Sequence, residues 1–571
     1  VKRSNYTHGT ATSIRMPRTR FPVNHSVVTS MKCGYLYPCY LQEIYPGDSF
    51  NIQCNWVARS VVPFFRPVMD NLFVDFMYFF VPSRICYEDW EKIFGESSDS
   101  SWIDNEVVEA PASDLVMNVS SRSVADYLGL PPGRTPKGLN MIPFRAFAKI
   151  YNEWFRDQNL IDETFVQSGT FNAEAETLNS NEWSPANYTG LPPKVAKFHD
   201  YFTGALKAPQ KGEPVEVPLG GGFVPVKTFS GLDTGLSTEP LKMRTTDPAS
   251  LVGGYLNPIG LNVPNITPSA ADRFRVQTGV VDPDGEYSGD YNEGVYPTNL
   301  GVDISSIGTV TVNTLRLAFQ TQKILERSAR GGTRYREYLR SAFGCVSSDA
   351  RMQIPEFLGG KRMPLNIQQA TSTQSGDNLG DVAGWSLSNG RNGYLKGFVE
   401  HGFVIGVMCI RHKHTYSQGI ERFWSRKGRW DYYDPTLAHI GETPIYESEI
   451  CAAVEENLKG NVFGYREAFS DLRYRPNLVT GQARPQQNAE NFFYYTFADD
   501  YQLTPSPIPG KLPDGAPVLS EEFINETDEY VRRSMSGMSE DDDQFIFDIN
   551  FSGSAIRVLP AHGTPSLIDH Y

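Results

Sequence analysis

The stretch Leu72–Val81, LFVDFMYFFV, contains one charged residue, Asp75. In an extended chain successive side chains point to opposite faces. Phe73, Asp75, Met77 and Phe79 then share one face, and Leu72, Val74, Phe76, Tyr78 and Phe80 share the other. Apart from Asp75 both faces are apolar, so this strand needs cover on both sides, as at a sheet that also meets a neighbouring subunit. Neither this run nor any other approaches the ~18 apolar residues needed to span a bilayer. The N-terminal residues show no secretory pattern.

The rest of the chain supports a turn-rich, mainly β protein. Strand-like runs recur at Phe50–Ala58, Val382–Gly390, Gly397–Arg411 and Gln544–Phe551. Lys32–Ile44 leads into Tyr45-Pro46-Gly47-Asp48, where Pro-Gly suits the centre of a type II turn. Gly (49) and Pro (39) are abundant, aromatics make up 12% and charged residues only 21%. Such aromatic surfaces suit extensive protein–protein burial. A large β enzyme has the same composition.

Helical periodicity is limited. Tyr87–Phe94, Pro143–Leu160 and Leu191–Ala205 read as helices, the second with Phe144, Phe147, Ala148, Tyr151, Trp154 and Phe155 on a core-facing stripe. In Leu315–Gly360, Leu315, Ala318, Phe319, Gln322 and Leu325 mark one amphipathic helix. Gly331-Gly332 breaks it, and Thr333 is a plausible N-cap for a second helix bearing Tyr335, Tyr338, Leu339, Ala342 and Phe343. Arg327, Arg330, Arg334, Arg336 and Arg340 accompany them, to bridge neighbouring subunits or to face a polyanion.

Charge is unevenly distributed. The net charge is −14, yet residues 1–42 contain no Asp or Glu and carry Lys2, Arg3, Arg15, Arg18, Arg20 and Lys32, a net +6. The remainder therefore carries −20, from −14 minus +6. A basic arm on an acidic body fits a shell with nucleic acid inside, with Lys2, Arg3, Arg15, Arg18 and Arg20 as candidate genome-facing residues. A charged terminus with no partner is the plainer reading. A second basic pattern interleaves aromatics: Arg422, Phe423, Trp424, Arg426, Lys427, Arg429 and Trp430. Cations can follow phosphates while aromatic rings stack on unpaired bases, and the same residue types are favoured at subunit contacts. Of the two, the subunit contact is preferred for this segment.

Conventional reaction centres are lacking. Seven cysteines form no CxxC pair, which points to free, mostly buried thiols in a reducing compartment. No phosphate-binding Gly-x-x-x-x-Gly-Lys loop and no Gly-x-Ser-x-Gly elbow is present. His412 and His414 fall on one face of a strand and Cys409 on the other; two ligands on one face do not complete a zinc site, so a sheet-face histidine pair is the expectation and no metal or cofactor is assigned. Glu540–Asp543 lacks the spacing of a calcium loop and reads as a solvated acidic turn.

Several blocks resemble one family. ERSARGGTRYREYLRSAFG and SSDARMQIPEFLGG (326–360), EIYPGDSFNIQ (43–53), VPFFRPVMDNLFVDFMYFFVPSRI (62–85), DWEKIFGE (89–96), GIERFWSRKGRWDYYD (419–434), VFGYREAFSDLRYRPNLVT (462–480) and the terminal VLPAHGTPSLIDHY are similar to the major capsid protein of Microviridae, gokushovirus type. The resemblance implies an eight-stranded antiparallel jelly roll with long inter-strand insertions carrying short helices. It implies a virion protein, not an enzyme, assembled in the host bacterial cytoplasm into a T=1 icosahedral shell around circular single-stranded DNA. Implied partners are further copies of itself, the genome, a pilot or minor spike protein, a small basic DNA-binding protein, an internal scaffolding protein and a host surface receptor, with no membrane insertion.

The expected organisation is a basic, interior arm (1–30), a first part of the core (31–203), a variable surface insertion (204–300) and the remainder of the core (301–571). Residues 204–300 hold 14 Gly and 11 Pro with 7 basic and 11 acidic residues, a texture unlike the flanks. A β-rich carbohydrate-binding module or polysaccharide hydrolase is the competing reading; clustered carboxylates in a cleft and glycan turnover would distinguish the hydrolase.

Overall fold

The computed structural model describes residues 17–562 except 95–108, 113–118, 135–137, 165–189, 216–225, 229–242, 246–279, 282–286, 289–294, 298–299, 303–311, 372–381, 453–457, 486–491 and 502–516. The chain divides into two compact units, residues 1–211 with 326–571, and residues 212–325.

The larger unit is built on two antiparallel sheets. Its strands are β1 (Thr19–Pro22), β2 (His25–Met31), β3 (Tyr37–Ile44), β4 (Ser49–Ser60), β5 (Leu72–Pro82), β6 (Glu356–Leu365), β7 (Ile367–Thr371), β8 (Val382–Gly397), β9 (Gly402–His412), β10 (Glu442–Tyr446), β11 (Val462–Glu467) and β12 (Phe545–Arg557). One sheet has the order β1-β12-β4-β8-β7, with β2 also on β12; the other has the order β6-β5-β9-β3. From β2 to β5 consecutive strands alternate between the sheets, and the chain crosses again between β6 and β7 and between β8 and β9. This ordering is consistent with the double Greek-key sandwich that the family resemblance implies.

The two sheets differ in how their outer faces are covered. Along β4, Phe50, Ile52, Cys54, Trp56 and Ala58 are buried between the sheets while Asn51, Gln53, Asn55, Val57 and Arg59 are exposed. That alternation marks a sheet with one wet face. On β5, Leu72, Val74, Phe76, Tyr78 and Phe80 join the same inter-sheet core as Phe547, Ile549 and Phe551 of β12. Phe79 and Val81 of β5 join a second core with helix α1 (Ile142–Ile150), through Phe144, Phe147 and Ile150. The double-sided strand is therefore covered by its own chain, not by a neighbouring subunit as the sequence suggested. Each large apolar side chain withdrawn from water in this way contributes about 1.5–3 kcal/mol.

Asp75 sits in the wall between these layers, 2% exposed. Its neighbours across the ladder are Arg362 on β6 and Cys409 on β9. Arg362 Nε donates to Asp75 Oδ1 at 2.7 Å, and Arg411 donates to Oδ2. Both guanidiniums also lie over Phe198, at 4.1 and 4.4 Å from the ring centre. The one charge of the hydrophobic strand is thus paired twice, as a buried carboxylate requires.

Helix expectations hold in part. α1 begins with Pro143 in its first turn, where a missing N–H costs nothing, and continues as a π-turn over Tyr151–Phe155. Tyr87–Phe94 shrinks to a 3₁₀ turn at Lys92–Phe94. Leu191–Ala205 forms no helix. Its backbone is taken by other segments: Leu36 N–H donates to Pro193 O, Val195 N–H to Gly34 O, Lys197 N–H to Ile524 O, and Glu526 N–H to Val195 O, at 2.8–2.9 Å. These bonds need an extended chain, which Pro192-Pro193 favours. At the predicted turn, Gly47 adopts φ +91° and Asp48 N–H bonds to Tyr45 O at 3.0 Å, as in a type II turn.

The arm read over 1–30 enters the sheet at Thr19, so that 19–22 and 25–31 are edge strands on β12. β12 bonds to β4 on its other side, so these strands pair the backbone groups it would otherwise leave open at this edge. In the smaller unit, short antiparallel ladders pair 226–228 with 300–302, 243–245 with 295–297, and 280–281 with 287–288. Most of the 204–300 insertion lies outside the described residues.

Candidate functional site

Helix α2 (Val312–Gly331) and helix α3 (Tyr335–Phe343) flank the Gly331-Gly332 corner. Gly332 has φ +85°, which the glycine allows. Thr333 is not the cap. The α3 N-cap is Arg334, and the Glu337 carboxylate accepts its backbone N–H at 3.3 Å. The apolar face of α3 is open: Tyr335 and Phe343 are 64% and 66% exposed. The arginine series mostly serves its own chain. Arg330 pairs with Glu442. Arg334 donates to the Asn152 and Glu153 carbonyls at the end of the π-turn, where a cation also complements the helix dipole. Arg336 lies 4.7 Å over the Trp154 ring, and Arg327 5.8 Å over Tyr338.

The 422–430 segment divides by exposure. Two 3₁₀ turns, Arg422–Ser425 and Arg429–Asp431, fold it tightly enough to turn alternate side chains in and out. Arg422 points inward: Nη1 donates to Pro444 O at 2.8 Å and lies 3.6 Å from Glu449. Arg426 pairs with Asp471, both nearly buried. Asp431 ties the second turn by accepting the Lys427 and Gly428 backbone N–H groups at 3.0 and 2.9 Å, and it pairs with Lys459. Lys427, Arg429, Trp424 and Trp430 remain at the surface, with Arg429 stacked 5.6 Å over Trp430. Phe423, Tyr432 and Tyr433 widen this exposed aromatic plate.

Of the candidate genome-facing residues, Lys2, Arg3 and Arg15 lie outside the described residues. Arg18 and Arg20 are exposed at the β1 edge. The acidic turn is less solvated than expected, since Asp543 accepts from Ser30 Oγ at 2.5 Å and lies 3.2 Å from Arg122.

The histidine pair acquires partners that lie far from it in sequence. His412 ends β9 and His414 follows it; their ring centres are 4.1 Å apart. His414 Nδ1 lies 2.8 and 3.1 Å from the Asp499 carboxylate oxygens, and its Nε2 lies 2.9 Å from Glu526 Oε1. Glu526 Oε1 also lies 2.7 Å from His412 Nδ1. Tyr501 donates to Asp499 at 3.0 Å. Burial opposes charge on His414, but Asp499 and Glu526 outweigh it and hold the imidazole up to about 9. Burial likewise opposes charge on Glu526, and the His412 and His414 rings bring its carboxyl well below the usual range. Cys409, the third residue singled out by sequence, points to the other side of the sheet with the α1 core. All seven cysteines are free thiols, six buried and Cys345 exposed.

A two-sheet sandwich with its ionisable cluster locked inside and its aromatic plates outside defines a structural protein that works through its surfaces. The sequence profile of the capsid protein (F protein) family matches residues 10–567, and the chain belongs to that family. It is 34% identical to capsid protein VP1 of Spiroplasma virus 4 over 97% of this chain and 96% of the relative. It is 31% identical to capsid protein VP1 of Bdellovibrio phage phiMH2K, covering 98% and 97% of the two chains. Capsid protein VP1 of Chlamydia phage 1 is also 31% identical, over 96% of each. The protein is accordingly a non-enzymatic major capsid protein of a phage virion. No helix of the described residues is long and apolar enough to cross a membrane.

Proposed function

We propose that the chain assembles into a T=1 icosahedral shell of the gokushovirus type around a circular single-stranded DNA genome. The observation that carries this reading is the exposed apolar surface of the single chain. Trp424, Trp430, Tyr335, Phe343 and Val346 are 64–81% exposed, and patches of that kind mark contacts with other proteins. A closed shell buries each patch against a symmetry-related copy and leaves no free edge. Electron microscopy of the purified protein, alone and with the virus-encoded scaffolding protein, tests it: closed shells are expected, and soluble monomers under every condition would reject it.

The basic N-terminal residues supply the genome contact in this reading, and residues 204–300 the exterior, host-facing surface. Shells lacking residues 1–20 are expected to package less DNA; unchanged DNA content removes the arm from that role. Exchange of 204–300 with another virus's segment is expected to redirect host attachment while shells still form. Loss of assembly would instead make that segment part of the shell contacts. The spike and small basic proteins belong to the same proposal as partners of the assembled shell, and the internal scaffolding protein as a partner during assembly.

A further inference from the structure

The buried cluster beneath the end of β9 offers more donor atoms than its hydrogen bonds use. His412 is fully buried; its Nδ1 lies 2.7 Å from Glu526 Oε1 without an aligned hydrogen bond, and its Nε2 has no hydrogen-bond partner among the described residues. Glu526, 1% exposed, leaves Oε2 without a hydrogen-bond partner among the described residues. The Cys33 thiol is fully buried and donates to the Ile410 carbonyl at 3.2 Å. Cys33 Sγ, a His412 ring nitrogen and a Glu526 oxygen lie within 4.8 Å of one another. A second triad, His412, His414 and Asp499, meets the same limit and shares His412 with the first. Unpaired buried nitrogen and oxygen atoms are costly, and a native cluster of them calls for a water or an ion.

The fixed charges around the cluster leave a negative surplus. Asp499 and Glu526 bring two negative charges; Lys197, 4.4 Å over the Phe523 ring, brings one positive charge to the vicinity. A divalent ion between Cys33, His412 and Glu526 offsets that surplus and engages ring nitrogen and carboxylate oxygen atoms that the hydrogen bonds leave over. A sulfur, nitrogen and oxygen set selects a borderline ion of the zinc class over calcium or magnesium. His414, with Nδ1 on Asp499 and Nε2 turned to Glu526, has the carboxylate–imidazole arrangement that orients metal sites.

We propose that this chain binds one zinc-class divalent cation at Cys33, His412 and Glu526, with His414 and Asp499 as positioning residues. Cys33 lies between β2 and β3, His412 ends β9, and Glu526 belongs to the insertion between β9 and β12. The ion would therefore fasten the edge of the sandwich to the insertion packed on it. Binding displaces the Cys33 thiol proton, which leaves for solvent as the thiolate–metal bond forms.

The test uses the full-length protein, assembled or as subunit. Elemental analysis after growth in zinc-supplemented medium is expected to give about one zinc per chain, and cobalt(II) to give a thiolate charge-transfer band. Cys33→Ser and His412→Gln are expected to lower zinc content to about a tenth or less, and Asp499→Asn to weaken binding by about 10–100-fold. Wild-type protein should melt higher with added zinc, and C33S should not. Because H412Q can unfold the subunit, the conservative C33S carries the decision, with its fold checked by circular dichroism. Zinc-free wild type with no cobalt band would overturn the proposal and leave an ion-pair network only. Zinc retained in folded C33S would place the ion elsewhere and overturn it equally.

Discussion

Residues 409–414 and 422–430 are close in sequence, both rich in groups that can carry chemistry, and they end in opposite environments. The first belongs to a central strand and its exit, so His412 and His414 are carried into the interior, where Asp499 and Glu526 meet them. The second belongs to short 3₁₀ turns on the surface, where Arg422 and Arg426 are drawn inward and Trp424 and Trp430 remain outside. The sequence patterns look equally suggestive. Which of them becomes a network and which an open surface is settled by the element each sits on.

The contrast predicts a gradient of mutational cost. The largest effect belongs to the buried network: Glu526→Ala leaves two imidazoles without their shared carboxylate and should cost about 3–5 kcal/mol of subunit stability, read by denaturant unfolding. A loss no larger than that of a surface substitution would break the comparison at its strongest point. Arg426→Ala, from the inward half of the surface segment, strands Asp471 and should cost about 1–3 kcal/mol in the same assay. Trp424→Ala and Trp430→Ala should change unfolding by no more than about 0.5 kcal/mol. Their effect belongs to assembly, where loss of a buried aromatic anchor raises the protein concentration needed to form shells, a shift that light scattering measures. Shells forming at the wild-type concentration would remove the aromatic plate from the contacts. The smallest effect is expected for Lys427→Ala with Arg429→Ala. These should leave unfolding unchanged and, if the plate touches DNA, shallow the salt dependence of binding by about 0.7 per lost phosphate contact. An unaltered slope assigns the two cations to subunit contacts.

Much of the sandwich was legible because its signals are local. Alternation along 50–58 and 544–551, the Pro-Gly turn at 46–47 and the Gly-Gly break at 331–332 each follow from side-chain spacing or backbone freedom. Where reading failed, a distant segment had intervened. The Leu191–Ala205 stretch carries helix-like spacing, but Gly34, Leu36, Ile524 and Glu526 claim its backbone bonds. The arginines at 330–336 look available in sequence and are occupied in the fold by Glu442, the 152–153 carbonyls and Trp154. No sequence signal marks Glu526 or Asp499 as partners of His414, since they follow it by 112 and 85 residues.

The sequence by itself determined the β class, the strand with two apolar faces and the family resemblance, because spacing and wording are properties of the chain alone. The tertiary structure decided what covers that strand's second face, which half of the basic–aromatic segment stays open and whether two histidines form a pair or a cluster. Those outcomes depend on which distant segments share a layer, and burial converts their proximity into charge pairing, idle donors or exposed surface.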